Sequence, residues 1–126
     1  MNIKEGTKFS QIKKVTEEDS ANKYGSGTLE VFATPAMISF IENTCKNSVE
    51  GCLDQGFTTV GTEVSIKHIK ATPIGMEVVC TSELIEVKGK KLVFSVEVVD
   101  EEGKIGEGLH KRYIVNSEDF LKNTYK

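Results

Sequence analysis

The sequence lacks several features that define large protein classes. No apolar run approaches the roughly 20 residues that a membrane-spanning helix needs, which excludes an integral membrane protein built from helices. The first ten residues are polar and lack the apolar segment of a secretory signal, so we expect a cytoplasmic protein. No internal repeat and no second set of elements is found, so the 126 residues predict a single domain over residues 1–126.

An excess of basic charge is also missing. Sixteen Lys and Arg residues stand against nineteen Asp and Glu residues, which gives a formal net charge of −3. A nucleic-acid-binding protein needs a basic field, so this balance argues against a nucleic-acid partner. It leaves room for an anionic small molecule held by a local cluster of positive charge.

Cysteines are few and are not paired by spacing. Cys45 and Cys52 lie seven residues apart on a predicted helix, which is roughly 10 Å and too far for a disulfide bond. With Cys80 the count is odd, so all three are expected to be reduced thiols that fill the core. Because no Cys and His residues are clustered, we expect no metal site.

A long amphipathic helix is predicted over residues 35–52. Thr34 is suited to cap its start, and Pro35 suits the first helical position. At 100° per residue the apolar side chains fall in one stripe, composed of Met37, Ile38, Ile41, Cys45, Val49 and Cys52. Glu42 lies at the margin of this stripe.

The rest of the chain alternates as strands do. We predict an edge strand over residues 7–15, a mobile loop over 16–30, and four hairpin-linked strands over 58–70, 76–87, 92–99 and 104–116. A short helix capped by Ser117 closes the chain over residues 117–125. One long helix with consecutive antiparallel strands predicts an α+β fold in which a curved antiparallel sheet wraps around the central helix.

Glu42 and His68 are the candidate reactive groups. By alternation His68 shares the apolar face of its strand with Val60, Val64 and Ile66. A half-buried carboxylate and an inward imidazole can serve as an acid/base pair. The simpler alternatives are a solvated helix glutamate and a core histidine bound to a backbone carbonyl.

Other positions carry weaker signals. Thr34 is explained by helix capping alone, although a hydroxyl at a helix start also orients ligands. His110 has no partner nearby in sequence that suggests a role. Lys111 and Arg112 are either surface charges or contacts for phosphate groups. Residues 106–108 are glycine-rich, but no helix follows them, which rejects a dinucleotide or P-loop site.

Several segments in a fixed order resemble one protein family. They lie within residues 30–116 and comprise residues 31–34 (VFAT), 40–45 (FIENTC), 60–62 (VGT), 66–68 (IKH), 71–75 (ATPIG) and 106–112 (GEGLHKR). The chain resembles the fluoroacetyl-CoA-thioesterase-like branch of the hotdog-fold thioesterases. Their order and spacing make the resemblance specific, since each segment alone is weak.

The resemblance implies a hotdog fold, a homodimer with active sites at the subunit interface, and hydrolysis of an acyl-CoA thioester. It implies that Thr34, Glu42 and His68 are catalytic. Gly61 would offer its backbone N–H near the substrate carbonyl, and Arg112 would be a basic substrate-binding position. Coenzyme A would enter as part of the substrate, and no other cofactor is implied.

The segment before the helix departs from the fluoroacetyl-specific pattern, which carries bulky aromatic residues there. Residues 24–29 hold a single aromatic, Tyr24, so we expect a short or medium acyl-CoA substrate. Other interpretations are a non-catalytic acyl-CoA-binding or lipid-binding hotdog protein, a hotdog hydratase or dehydratase, and a structural dimer without a ligand. Acyl-chain identity, the pathway and the choice between dimer and tetramer stay open.

One geometric constraint applies to the predicted catalytic set. Thr34 and Glu42 are eight residues apart, about 12 Å along a regular helix, so their side chains cannot touch there. Either the helix bends or begins later, or one site takes these residues from two subunits. Glu42 can act as a nucleophile or as a general base toward water, and the sequence leaves both open.

Overall fold

A five-stranded antiparallel sheet forms the body of the molecule. The computed structural model describes residues 1–126. Its strands are Lys8–Lys14 (β1), Phe57–His68 (β2), Glu77–Lys88 (β3), Lys91–Asp100 (β4) and Gly103–Asn116 (β5). Their order across the sheet is β1-β3-β4-β5-β2, and every neighbouring pair is antiparallel. β2 therefore lies at one edge of the sheet, with a single strand neighbour.

The helix Thr34–Glu50 (α2) packs across one face of this sheet and contacts all five strands. Its buried side chains recur at helical spacing and are Ala36, Met37, Phe40, Ile41, Thr44, Cys45 and Val49. They meet a row of alternate residues on β4, composed of Leu92, Phe94, Val96 and Val98, all of which are buried. The predicted α+β architecture, a long helix wrapped by a curved antiparallel sheet, is confirmed.

Helix caps differ from the prediction at both helices. Ala33 is the N-cap of α2, and Thr34 is already the first helical residue, so its side chain makes no capping bond. At the C-terminal helix Ser117–Thr124 (α3), Asn116 is the cap and accepts a hydrogen bond from the Asp119 N–H. In each helix the N-cap is the residue before the one predicted: Ala33 in place of Thr34, and Asn116 in place of Ser117.

Cys52 is not a core residue, contrary to the prediction. α2 ends at Glu50, so Cys52 lies beyond the helix and its side chain is exposed. Cys45 and Cys80 are buried as expected, and all three thiols are free. Burial raises the pKa of Cys80 to about 11, with a hydrogen bond from Thr44 opposing the shift, so this thiol stays protonated at neutral pH.

Residues 25–30 contain no helix or strand, in keeping with the predicted loop, but residues 17–24 are not a loop. They form a short 3₁₀ turn, Glu17–Asp19, and a one-turn helix, Ala21–Tyr24 (α1). The carboxylate of Asp19 accepts hydrogen bonds from the backbone N–H and hydroxyl of Thr16. The Asp19 backbone carbonyl accepts from the N–H of Ala33, which fixes the entry to α2.

A β-bulge in β2 changes the predicted faces of that strand. The register shifts between Gly61 and Glu63, opposite Arg112 and Lys111 of β5. Side chains alternate along a strand, so one extra residue reverses the alternation on its far side. Val64 and Ile66 share a face with His68 as predicted, but Val60 lies on the opposite face.

No helix of the chain is both long enough and apolar enough to cross a bilayer.

Candidate functional site

The start of α2 carries the first polar pair of the site. Thr34 Oγ1 lies 2.8 Å from His68 Nδ1, at the end of β2. Thr34 can make this bond because Ala33, one residue earlier, occupies the N-cap position. The buried ring of Phe32 meets the His68 imidazole edge-on, with ring centroids 6.5 Å apart and planes at 76°. These contacts fix the orientation of the His68 ring.

His68 is neutral at pH 7 in this environment. Burial lowers its pKa from the ordinary 6.5, and the nearby backbone of Lys70 opposes that shift in part. Its second ring nitrogen, Nε2, is buried and makes no hydrogen bond. A neutral imidazole with one bonded and one free nitrogen is suited to accept a proton at the free nitrogen.

Glu42 lies two turns further along α2, half-buried as the apolar stripe predicted. Its carboxylate makes no hydrogen bond and no ion pair. It lies directly over Gly61: a Cβ added there would stand 2.6 Å from Glu42 Oε2. Any side chain at position 61 would therefore displace the carboxylate.

Arg112 lies beneath the same carboxylate and is not a surface charge. It is only 6% exposed, and its Nε and Nη2 donate to the hydroxyl and the carbonyl of Thr59. Its Nη1 lies 3.1 Å from His110 Nε2. Burial lowers the pKa of the Arg112 guanidinium, and the negative charge of Glu42 opposes this shift. An arginine remains protonated at neutral pH despite such a shift, so Arg112 brings a positive charge close to Glu42.

A cleft of about 350 Å³ opens beside Thr34 and His68. Its apolar walls include Val31, Phe32 and Ala71. Glu42 does not line it. The cleft can therefore present an apolar group to the Thr34 and His68 pair, but it does not connect that pair with Glu42 within one chain.

The predicted site residues fall into two groups within the chain. Thr34 and His68 are joined by a hydrogen bond, while Glu42, Gly61 and Arg112 lie together two turns away along α2. The helix is continuous from Thr34 to Glu50, which removes a late start as a way of bringing Thr34 and Glu42 together. No three Cys, His, Asp or Glu side chains are grouped so that they could hold a metal ion.

Sequence reasoning missed Thr59 and His110, which complete the second group. His110 is fully buried, and its Nδ1 lies 2.8 Å from the backbone oxygen of Glu63. The signal for His110 was its spacing of two residues from Arg112, which places both side chains on one face of β5. The partners of both residues are 47 and 53 positions away in sequence, so local spacing could not identify them.

Comparison with known proteins adds family and fold information. The profile of one family, FlK, the fluoroacetyl-CoA-specific thioesterases, matches residues 15–118. A fluoroacetyl-CoA thioesterase from Streptantibioticus cattleyicolor is 36% identical over 91 residues, 72% of this chain. The match spans 66% of the length of that relative.

Solved structures share the architecture. The fluoroacetyl-CoA thioesterase FlK superposes with a TM-score of 0.93 at 28% identity, over 98% of this chain and 96% of that chain. A mutant of FlK in complex with fluoroacetate and CoA gives 0.89 at 29% identity, over 94% and 99%. A hypothetical protein of Thermus thermophilus, a thioesterase superfamily member, gives 0.90 at 23% identity, over 98% and 91%. These matches confirm the predicted hotdog fold.

Proposed function

This chain belongs to the fluoroacetyl-CoA-specific thioesterase family, and from that premise we propose that it hydrolyses the thioester bond of an acyl-CoA. The observation that carries the proposal is the 2.8 Å contact between Thr34 Oγ1 and His68 Nδ1, which leaves Nε2 of a neutral ring without a partner. A fixed imidazole with a free nitrogen can take a proton from water, and that step is required to hydrolyse a thioester.

The proposed chemistry assigns one task to each group. His68 donates its Nδ1–H to Thr34 and accepts a proton from the attacking water at Nε2. Glu42 either attacks the thioester carbon, which breaks the C–S bond and gives a mixed anhydride that the water then hydrolyses, or takes the proton of the water itself in place of His68. The Gly61 N–H stabilises the negative oxygen that develops on the carbonyl. The products are the carboxylic acid and the free thiol of coenzyme A, which leaves as thiolate and is then protonated.

The two groups of residues meet, in this proposal, across a homodimer interface. β2 is an edge strand, and Val64 on its helix-facing side is 41% exposed. Exposed apolar edge strands tend to pair with another chain. Antiparallel pairing about an axis near Val64, with the bulge counted, would place Gly61 opposite Ile66 of the partner subunit, one same-face position away from its His68. Glu42 and Gly61 of one subunit would then face Thr34 and His68 of the other.

The proposed substrate carries a short or medium acyl chain. The cleft beside Thr34 and His68, at about 350 Å³, suits a small apolar group. Residues 24–29 bring only one aromatic side chain, and Tyr24 is itself exposed to solvent. This segment gives no aromatic enclosure of the kind that would restrict the site to a fluorinated two-carbon acyl group.

Thiol release tests the proposed activity. The purified chain is assayed with acyl-CoA esters of two to twelve carbons and with fluoroacetyl-CoA, while the mass of the assembly is measured in solution. Glu42→Gln and His68→Ala should each lower kcat by roughly 10²- to 10⁴-fold, the usual loss when a positioned acid/base group is removed. Glu86→Gln, the same change at an exposed position of β3, is the control and should keep full activity. Tight acyl-CoA binding without turnover would instead indicate a non-catalytic binding protein.

Subunit complementation tests the shared site. If Glu42 and His68 act from different subunits, a mixed dimer of Glu42→Gln and His68→Ala chains contains one intact site and one doubly mutated site. Random exchange of the two inactive variants should then restore about a quarter of the wild-type activity. If both residues act from the same chain, every site in the mixture carries a mutation and no activity returns.

A further inference from the structure

We propose that His110 is a positioning residue of this site, with one ring nitrogen holding the backbone carbonyl of Glu63 and the other holding Arg112. Through these two bonds it fixes the strand that presents Gly61 and the guanidinium beneath Glu42. The inference rests on the proposed thioesterase function and extends it to a buried residue that makes no contact with the reacting atoms.

The partners of His110 determine its protonation state. The Glu63 carbonyl oxygen, 2.8 Å from Nδ1, only accepts hydrogen bonds, so Nδ1 carries a proton. The guanidinium of Arg112, 3.1 Å from Nε2, only donates, so Nε2 carries none. His110 is therefore a neutral imidazole with a single possible tautomer. A second proton, on Nε2, would point at the N–H of Arg112 Nη1, and two donors would then face each other.

The surroundings of the ring favour the same state. Burial lowers the pKa of His110, and the positive charge of Arg112 lowers it further. The hydrogen bond to Glu63 and the negative charge of Glu42 raise the pKa and offset part of this shift. The ring is fully buried and stacks on Phe94 of the neighbouring strand, with centroids 6.4 Å apart and planes at 27°. It therefore has one orientation and one set of partners.

The bond to Glu63 holds the β-bulge of β2. A bulge is locally unpaired, and it re-aims the side chains or backbone next to it. Here it lies between Gly61 and Glu63, and it keeps Gly61 on the face that meets Glu42. The carbonyl on its far side is the one that His110 binds, so the ring connects β5 to the part of β2 that forms the site.

The bond to Arg112 completes the positioning of the guanidinium. Thr59 takes one hydrogen bond from Nε and one from Nη2, and His110 takes the one from Nη1. Nη1 is also the guanidinium nitrogen that lies near Gly61: a Cβ there would be 3.3 Å from it and 2.6 Å from Glu42 Oε2. Without the His110 acceptor, the nitrogen nearest the reacting region would lose its anchor.

Three substitutions at His110 separate its two bonds. His110→Gln can place an amide oxygen where Nε2 lies and so accept from Arg112. His110→Asn can place its amide nitrogen where Nδ1 lies, which keeps only the bond to Glu63. His110→Phe keeps the stacking on Phe94 and removes both bonds. Tyr113→Phe, on the same strand but pointing outward, is the control.

Each variant is measured in three ways: kcat and KM for the acyl-CoA that the wild type hydrolyses best, the melting temperature, and the Nη1–H resonance of Arg112, the nitrogen next to His110, in a ¹⁵N spectrum. We expect His110→Asn and His110→Phe to lose roughly 10- to 100-fold in kcat, since displacement of a positioned group by about 1 Å has effects of this size. KM should change less than about threefold. His110→Gln should restore most of the lost kcat and keep the Arg112 resonance sharp.

Two results would overturn the inference. One is a folded His110→Asn variant with wild-type kcat and an unchanged Arg112 resonance. The other is an equal loss in His110→Asn and His110→Gln that follows their melting temperatures, which would indicate a purely structural role. If the wild type releases no thiol from any acyl-CoA, the proposed function fails, while the Arg112 resonance still tests whether His110 holds the guanidinium.

Discussion

At the start of the long helix, the hydroxyl of Thr34 forms a hydrogen bond with His68. No side chain therefore caps the backbone N–H groups of the first helical turn. This happens because the helix begins at Thr34, with Ala33 as its N-cap. A threonine one position earlier would have turned its hydroxyl toward the backbone N–H groups of the first turn. The shift of one residue changes the role of Thr34 from helix stability to orientation of the His68 ring.

Removal of the Thr34 hydroxyl should therefore lower activity and leave the helix stable. Thr34→Val keeps the branched shape but loses the bond to His68, and we expect about a 10-fold lower kcat from the loss of one orienting hydrogen bond. Thr34→Ser keeps the hydroxyl and should stay within about threefold of wild type. Steady-state kinetics of the two variants, with melting temperatures alongside, test this. Equal kcat values for Thr34→Val and the wild type would contradict the proposed role.

Among the elements, the pairing of β2 with β5 depends on close backbone contact. Gly108 of β5 is paired with Ile66, and its φ of 155° lies in the region that favours glycine. A Cβ at this position would collide with the backbone of Ser65. Gly103, at the start of the same strand, has a similar φ of 145°, but a Cβ there meets nothing within 4 Å.

These two glycines give a matched test of the close contact. Both alanine variants should pay the conformational cost of a positive φ that residues other than glycine rarely adopt, about 1–3 kcal/mol in each case. Gly108→Ala should lose a further 1–3 kcal/mol or so of unfolding free energy, because two strands must separate to admit the methyl group. Urea unfolding of both variants measures the difference. If they are equally stable, β2 and β5 are not in the close contact described above.

For the molecule as a whole, two buried or half-buried histidines link stability to pH. The pKa values of His68 and His110 both lie below the ordinary 6.5, with burial as the largest cause for each. The unfolded chain therefore binds more protons than the folded chain as pH falls below 6.5. Stability rises with pH wherever the unfolded state binds more protons, so acidification through this range destabilises the fold.

We expect the unfolding free energy to be constant near pH 7.5 and to fall as the pH is lowered below about 6.5. Each histidine contributes a slope of at most about 1.4 kcal/mol per pH unit. His110→Gln removes one titrating group, and its slope over the same range should be smaller. Urea unfolding at fixed protein concentration measures both slopes. A wild-type slope near zero would show that the histidines titrate alike in the folded and unfolded chains.

Local patterns in the sequence were enough to predict most of the framework. The apolar stripe from Met37 to Val49 predicted α2, and the alternation of Leu92, Phe94, Val96 and Val98 predicted the inward face of β4. The strand ends were predicted within two residues. These features depend on side chains close together in sequence, whose periodicity records which face is buried. Glu42 was correctly placed at the margin of the helix stripe for the same reason.

The sequence by itself determined the elements, the family and the residue types available for chemistry. Only the tertiary structure decided how these residues are grouped: Thr34 with His68, and Glu42 with Gly61, Arg112 and His110. The physical reason is that a bulge between Gly61 and Glu63 and hydrogen bonds across 34 to 53 residues set these neighbours. The spacing of apolar residues along the sequence shows which face of an element is buried, but it does not show which residues of distant elements come into contact. Those contacts depend on how the strands and the helix pack together.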